Sequence, residues 1–217
     1  MPETALLARS PIAPAPPEEV VAGWVVSGRR SDAALVLTDC TPLVKVAIKA
    51  TDGGPMAELL GVPFGHSARR SADLRTPGSE VLVVGSGPAE WLVLAAPGTQ
   101  DRVMNQVNGA AAECAGLVTY VDLTHGRALV RLTGARAADL LAKECGLDLA
   151  TDVRPDGSAA RTAVAKLATD IVRDDREEVP SFLLHCERSS GQYLFDSLLD
   201  AGRELGVEVT GFQPPEI

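Results

Sequence analysis

One arrangement of residues occurs twice in this chain, and it limits the fold more than any other feature. Leu35-Val36-Leu37-Thr38-Asp39-Cys40-Thr41 is followed by the alternating run Val44-Lys45-Val46-Ala47-Ile48-Lys49. Further on, Val118-Thr119-Tyr120-Val121-Asp122-Leu123-Thr124 is followed by Ala128-Leu129-Val130-Arg131-Leu132-Thr133. Both second runs alternate apolar and polar residues, the period of a strand with one wet face. Self-similarity of this kind marks a duplicated supersecondary unit.

The parallel continues in order. Met56–Gly61 and Ala135–Gly146 each read as a short helix stopped by glycine, which enters the left-handed region at little cost. Polar stretches follow, Asp73 to Ser79 and Asp152 to Ser158, and then strands, Glu80 to Val84 and Arg161 to Val172. Each copy closes with an apolar strand and an amphipathic helix: Glu90–Ala95 before Gln100–Ala115, and Ser181–Cys186 before Ser190–Leu205. In the last helix Tyr193, Leu194, Leu198, Leu199 and Ala201 form the apolar stripe; in its counterpart Val103, Val107, Ala110 and Ala111 do so. Val207–Phe212 reads as a final edge strand. Strand, helix, strand, strand, helix, repeated, is an α+β pattern. It predicts two similar halves related by a pseudo-two-fold, each a mostly antiparallel sheet with helices on one face. The expected divisions are an extended Pro-rich arm over 1–22, a first half over 23–116 and a second over 117–217. The arm holds five prolines before residue 20 and suits either a partner surface or a free terminus.

Composition removes whole classes of function. A net charge of −9 argues against nucleic acid, whose phosphates require clustered cations. No run approaches the about 18 apolar residues of a membrane span, and Met1 to Glu19 lacks the apolar region of a signal peptide. Cys40, Cys114, Cys145 and Cys186 are scattered without metal or disulfide spacing, so reduced thiols are expected. These readings place the protein in the cytoplasm. Aromatic residues are only 4%, so the core must be aliphatic.

Several segments resemble one family. Val121-Asp122-Leu123-Thr124-His125-Gly126-Arg127, running on through Ala128–Gly134, is similar to a strand of the gamma subunits of heterotetrameric sarcosine oxidase. Those chains carry Asp-Leu/Val-Ser/Thr-His-Gly/Ala-Arg there, then a glycine and an Ala-rich helix. Lys143-Glu144-Cys145-Gly146-Leu147-Asp148-Leu149 and the helical Ser197–Gly202 also resemble that family. Pro88-Ala89-Glu90-Trp91-Leu92 matches a strand shared with the wider aminomethyltransferase, folate-binding fold. The resemblance runs from about Leu35 to Gly206. It implies a subunit of a complex that demethylates sarcosine or a similar N-methyl amine, coupled to tetrahydrofolate. By the same resemblance FAD, FMN, NAD and tetrahydrofolate belong to the partner alpha, beta and delta subunits, and this chain packs on the alpha subunit's folate domain with no cofactor of its own.

The residues themselves offer little chemistry. Gly85-Ser86-Gly87-Pro88 lacks the third glycine and following helix of a dinucleotide site, and reads as a turn. The three histidines, His66, His125 and His185, have no ligand-type residue at helical spacing, so no metal site is expected. Asp122, His125 and Arg127 are the candidate binding residues, suited to an anion or a folate tail. The commoner use of such a segment is a bend at His125-Gly126, with Asp122 accepting turn amides. Arg127 and Arg131 share one strand face and are expected to meet a partner or water, while Trp91 and Phe182 fall at equivalent core positions. In aminomethyltransferases the helix after the strand matching Ser181–Glu187 begins with a substrate-orienting Asp. Here no Asp occurs before Asp196, which is expected to face solvent, so no catalytic residue is assigned. Two alternatives stand: a stand-alone folate-dependent aminomethyltransferase, and a folate-fold helper in iron–sulfur assembly or transfer RNA modification. The helper's Lys-Gly-Cys-Tyr-type motif is echoed only by Lys143-Glu144-Cys145-Gly146.

Overall fold

The computed structural model describes residues 6–51 and 54–214. Its elements, in order, are β1 (Ala8–Arg9), β2 (Glu18–Val21), β3 (Trp24–Ser27), β4 (Leu35–Asp39), β5 (Val44–Ala50), α1 (Gly54–Leu60), β6 (Ser67–Arg70), β7 (Val81–Gly87), β8 (Glu90–Ala95), α2 (Gln100–Ala112), β9 (Val118–Asp122), β10 (Arg127–Gly134), α3 (Ala137–Glu144), β11 (Ala159–Val164), β12 (Leu167–Arg173), β13 (Ser181–Glu187), α4 (Gly191–Gly202) and β14 (Glu208–Thr210). They build a five-stranded sheet, β6-β7-β8-β5-β9, a six-stranded sheet, β11-β12-β13-β10-β4-β14, and a small β1-β3-β2 sheet. The fold is α+β, as the repeat predicts.

The two copies exchange their leading strands. β4, which opens the first copy, runs antiparallel to β10 of the second, while β9, which opens the second, runs antiparallel to β5 of the first. Neither large sheet therefore stays on one side of the 116/117 boundary.

A matched pair of turns holds the exchange in register. Asp39 Oδ1 accepts from the Thr41 amide at 3.0 Å, and Asp122 Oδ1 accepts from the Thr124 amide at 2.8 Å. These are Asx turns, in which a short carboxylate replaces a backbone acceptor. Each threonine hydroxyl then reaches the opposite copy: Thr41 Oγ1 accepts from the Leu129 amide at 3.2 Å, and Thr124 Oγ1 from the Lys45 amide at 3.1 Å. The intervening residues complete the clasp, with Cys40 N–H donating to Leu129 C=O at 2.8 Å and Leu123 N–H to Lys45 C=O at 2.7 Å. Thr41 and Thr124 are both fully buried, so their hydroxyls answer strand amides that are out of reach of water.

The clasp makes Lys45 and Leu129 equivalent. From them the ladders align the rest: Ile48 faces Trp91 as Leu132 faces Phe182, so these two aromatics occupy matched core positions. Helices cover the outer faces. Val103, Val107 and Ala110 of α2 and Met56 and Leu60 of α1 pack on the five-stranded sheet. Leu140, Leu141, Leu194, Phe195 and Leu198 of α3 and α4 pack on the six-stranded one. The inner face of the six-stranded sheet, with Leu129, Val172 and Leu183, joins the first copy's core, so the sheets meet face to face.

Several expectations are corrected. Of the arm expected over 1–22, the described residues 6–22 do not stand apart: β1 and β2 pair with β3, and Ile12 lies in the second core at 1% exposure; residues 1–5 lie outside the described residues. Pro11 crosses so close to the start of α4 that a Cβ on Gly191 would stand 2.9 Å from it. Arg161 to Val172 is a hairpin, not one strand, because Ala165 and Lys166 turn the chain with φ of 48° and 66° and without the usual glycine or asparagine. Tyr193 is 54% exposed, and Phe195 takes its place in the α4 stripe. Arg131 turns inward: it is buried and pairs with Asp174 at 2.8 Å. Of Gly85-Ser86-Gly87-Pro88, read as a turn, Gly85–Gly87 form the irregular end of β7, and the turn into β8 is made by Pro88 and Ala89. Gly85 is required there because a Cβ would fall 2.2 Å from Pro63 C=O.

Lys45 is the largest wholly buried side chain, and its Nζ donates to Thr41 C=O and Leu43 C=O at 2.7 Å each. Burial pushes its amine from 10.5 down to about 7, against the pull of Asp39, Cys40 and Asp122. The unfolded chain then binds more protons than the folded one between about pH 7 and 10.5, so stability rises with pH across that window, by at most about 1.4 kcal/mol per pH unit. Lys45→Met should abolish this rise. Urea unfolding of both proteins from pH 7 to pH 9.5 checks it; parallel pH profiles would show that Lys45 does not titrate as stated.

Candidate functional site

Where the inner faces of the two large sheets diverge, they leave a cleft of about 320 Å³. Strand alternation supplies its walls: Ala47, Lys49, Glu90, Leu92, Thr119 and Val121 from the five-stranded sheet, and Arg127, Arg161, Asp170 and His185 from the six-stranded sheet. Ala47 aligns with Arg131 through the clasp, and its small side chain leaves open the space a larger residue would occupy.

Charges line the cleft in cross-strand pairs. Lys49 bonds Glu90 at 2.6 Å, opposite it on β8. Arg161 holds Asp170 through two contacts, 2.6 and 3.3 Å. Arg127 pairs with Glu187, its neighbour across β10 and β13. Asp170 also lies 3.3 Å from His185 Nδ1. Burial lowers the His185 pKa despite the opposing effect of Asp170, so the ring is neutral near pH 7. The Asp170 pKa lies below the usual carboxylate value, its hydrogen bonds to His185 and Arg161 outweighing the larger single effect of burial. With Nδ1–H turned to this carboxylate, Nε2 is left as an acceptor. It is buried without a hydrogen-bond partner, an arrangement that costs about 1–3 kcal/mol when nothing fills it.

Of the candidate binding residues Asp122, His125 and Arg127, Arg127 lines this cleft. Asp122 serves the Asx turn described above. His125 is exposed and stacks on Trp24, ring centroids 4.7 Å apart and planes within 10°. That contact seats the small N-terminal sheet against the second copy's turn. The three residues are thus neighbours in sequence with separate duties. Asp196 is exposed and accepts from Gln192 at 2.8 Å. His185, Asp170 and Arg161 carried no sequence signal, since they sit on two strands within what reads as an ordinary α+β pattern; the only available hint was a histidine inside the apolar run Ser181–Cys186. Among the described residues, no group of acids, histidines and cysteines is placed to hold a metal, and no helix is long and apolar enough to cross a membrane. All four cysteines are free thiols.

A second charged cluster lies deeper. Asp174 is 5% exposed and meets Arg69 at 2.5 Å, Arg131 at 2.8 Å and Arg176 at 3.4 Å. Arg69 comes from β6 and Arg131 from β10, so one carboxylate ties both large sheets together. Asp174→Asn should lower stability by about 3–5 kcal/mol, because it strands buried guanidinium charge. Lys49→Gln, at a pair exposed to water, should cost no more than about 1 kcal/mol. Chemical denaturation of the two variants side by side tests the contrast, and equal losses would refute the bridging role of Asp174.

A family model described as the GCVT N-terminal domain matches residues 78–215. No curated protein matches the sequence significantly. Among solved structures, a chain of heterotetrameric sarcosine oxidase from Corynebacterium sp. U-96 superposes with a TM-score of 0.66 at 22% identity, over 82% of this chain and 89% of that one. Glycine cleavage system aminomethyltransferase T from Bartonella henselae also gives 0.66, at 16% identity, over 89% of this chain and 55% of that one. At such identities the likeness is one of fold, and the chain spans about half the length of the aminomethyltransferase.

Proposed function

The chain belongs to the GCVT N-terminal domain family, and from that premise we propose that it is a gamma-type subunit of a heterotetrameric, sarcosine-oxidase-like complex. Its role is to pack against the folate domain of an alpha subunit, with the flavins, NAD and tetrahydrofolate carried by partner chains. The observation that carries this reading is the reach of the match: it takes in nearly all of one chain of a heterotetrameric oxidase. The order of the His-Gly-Arg, Lys-x-Cys and Glu-Trp-Leu segments supports it.

The site chemistry supports a binding role over a catalytic one. The first turn of α4 carries no acid, so the helix that would present a substrate-orienting carboxylate in an aminomethyltransferase presents none. The two acids lining the cleft are already engaged, Asp170 by Arg161 and His185 and Glu90 by Lys49. The cleft therefore offers no free carboxylate to orient tetrahydrofolate. Lys143 of the Lys-x-Cys segment has a structural task instead: its ammonium donates to Ala201 C=O and pairs with Glu204 at 3.0 Å, closing the end of α4 onto α3.

Co-expression with the alpha, beta and delta subunits should yield a co-purifying assembly containing this chain. Calorimetry of the isolated chain with tetrahydrofolate should register no binding. An assembled oxidase that leaves this chain behind as a monomer would overturn the subunit reading. Saturable folate binding would favour the stand-alone aminomethyltransferase.

A further inference from the structure

We propose that the cleft between the two sheets is a ligand site of this chain, built for a small carboxylate that bears a hydroxyl or N–H donor a few atoms from its anionic end. The proposal is independent of the subunit reading, since it concerns only residues of this chain.

The internal duplication supplies the control. His185 faces Leu129, and Asp170 faces His185. In the other sheet the same places are taken by Leu94, which faces Lys45, and by Leu82, which faces Leu94. Leu82 and Leu94 are both buried. The architecture is satisfied by an apolar pair at these positions, so packing does not require the His185–Asp170 pair. Nor is the pair self-sufficient. Asp170 orients Nδ1–H, Arg161 anchors Asp170, and the result is an enclosed Nε2 lone pair with no donor among the described residues. A fixed acceptor of this kind beside a cleft calls for a donor from outside; neighbouring atoms cover Nε2, so that donor reaches it as the side chains over the ring shift.

The register gives the second half of the ligand. Arg127 lies on the same face of β10 as Leu129, two residues away, and is therefore the diagonal neighbour of His185, about 7–8 Å between Cα atoms. Its partner Glu187 is 64% exposed, and a surface pair of that kind is held weakly enough for an incoming carboxylate to replace it. Lys49, on the facing sheet, adds a second cation at the rim. Ala47, Leu92, Leu123 and Val121 give apolar walls. A volume of about 320 Å³ is at the small end of ligand pockets, which limits the occupant to a compact molecule spanning from Arg127 to His185.

The test uses three rigid probes on the full chain. 3-Hydroxybenzoate carries both features, benzoate lacks the donor, and phenol lacks the anion. Binding is followed by NMR of histidine-labelled protein, in which the His185 ring signal is assigned by its loss on substitution. 3-Hydroxybenzoate should bind saturably and move the His185 signal, while benzoate and phenol bind about tenfold more weakly or worse. The double variant Asp170→Leu/His185→Leu copies the opposite sheet and so keeps the fold, as its circular dichroism and melting should confirm. It should erase the preference for 3-hydroxybenzoate over benzoate. Arg127→Gln, on the cleft rim, should erase the preference over phenol. No saturable binding, equal binding of all three probes, or preferences unchanged in both variants would overturn the proposal and leave Nε2 to an ordered water.

Discussion

The structure rests on the crossed pair of Asp-x-Thr turns. At the point where each copy sends its first strand into the other's sheet, the backbone passes through the interior and must find partners there. The carboxylates of Asp39 and Asp122 close their own turns, and the hydroxyls of Thr41 and Thr124 bond the opposite copy's strand. The duplication is thereby also an interlock, because neither sheet can be completed without a strand from the other copy. The face-to-face packing of the sheets, the Asp174 bridge and the cleft all follow from that exchange.

Against this near-symmetry the departures stand out. Lys45 replaces the leucine found at Leu129, Arg131 faces inward where its counterpart is Ala47, and the His185–Asp170 pair stands where the other sheet has Leu94 and Leu82. All lie on the inner faces. The outer faces, under the helices, are apolar and mostly aliphatic in both copies, with Trp91 and Phe182 as their matched aromatics. The departures from symmetry at these positions are polar and lie between the sheets, where buried charge needs a specific partner and therefore imposes specific geometry. Ala47 opposite the charged wall creates the space, and His185 leaves one acceptor unanswered within it.

What could be read in advance followed the rules of local patterning. The α+β pattern, the helix over Met56–Leu60 ending at Gly61, the core positions of Trp91 and Phe182, the Asx turn of Asp122, the edge strand after Val207 and the solvent position of Asp196 are each set by residues close in the chain. The misreadings have local causes too. The Ala165-Lys166 turn uses none of the residues that normally mark one. Tyr193 fits the apolar stripe by spacing, yet it lies at the edge of that face, where it stays exposed while Phe195 is buried. Prolines at the N-terminus suggested an arm, and the pairing partner that organises it, β3, lies beyond the proline-rich stretch.

The sequence by itself determined the duplicated unit, the order of strands and helices and the aliphatic character of the core, because periodicity and turn chemistry act over a few residues. Only the tertiary structure decided that the leading strands change places, that Arg131 turns inward to Asp174, and that His185, Asp170, Arg161 and Arg127 converge on one cleft. Strand pairing is a non-local choice. It brings together residues from different strands, and nothing in the spacing along the chain records which sheet a strand will join.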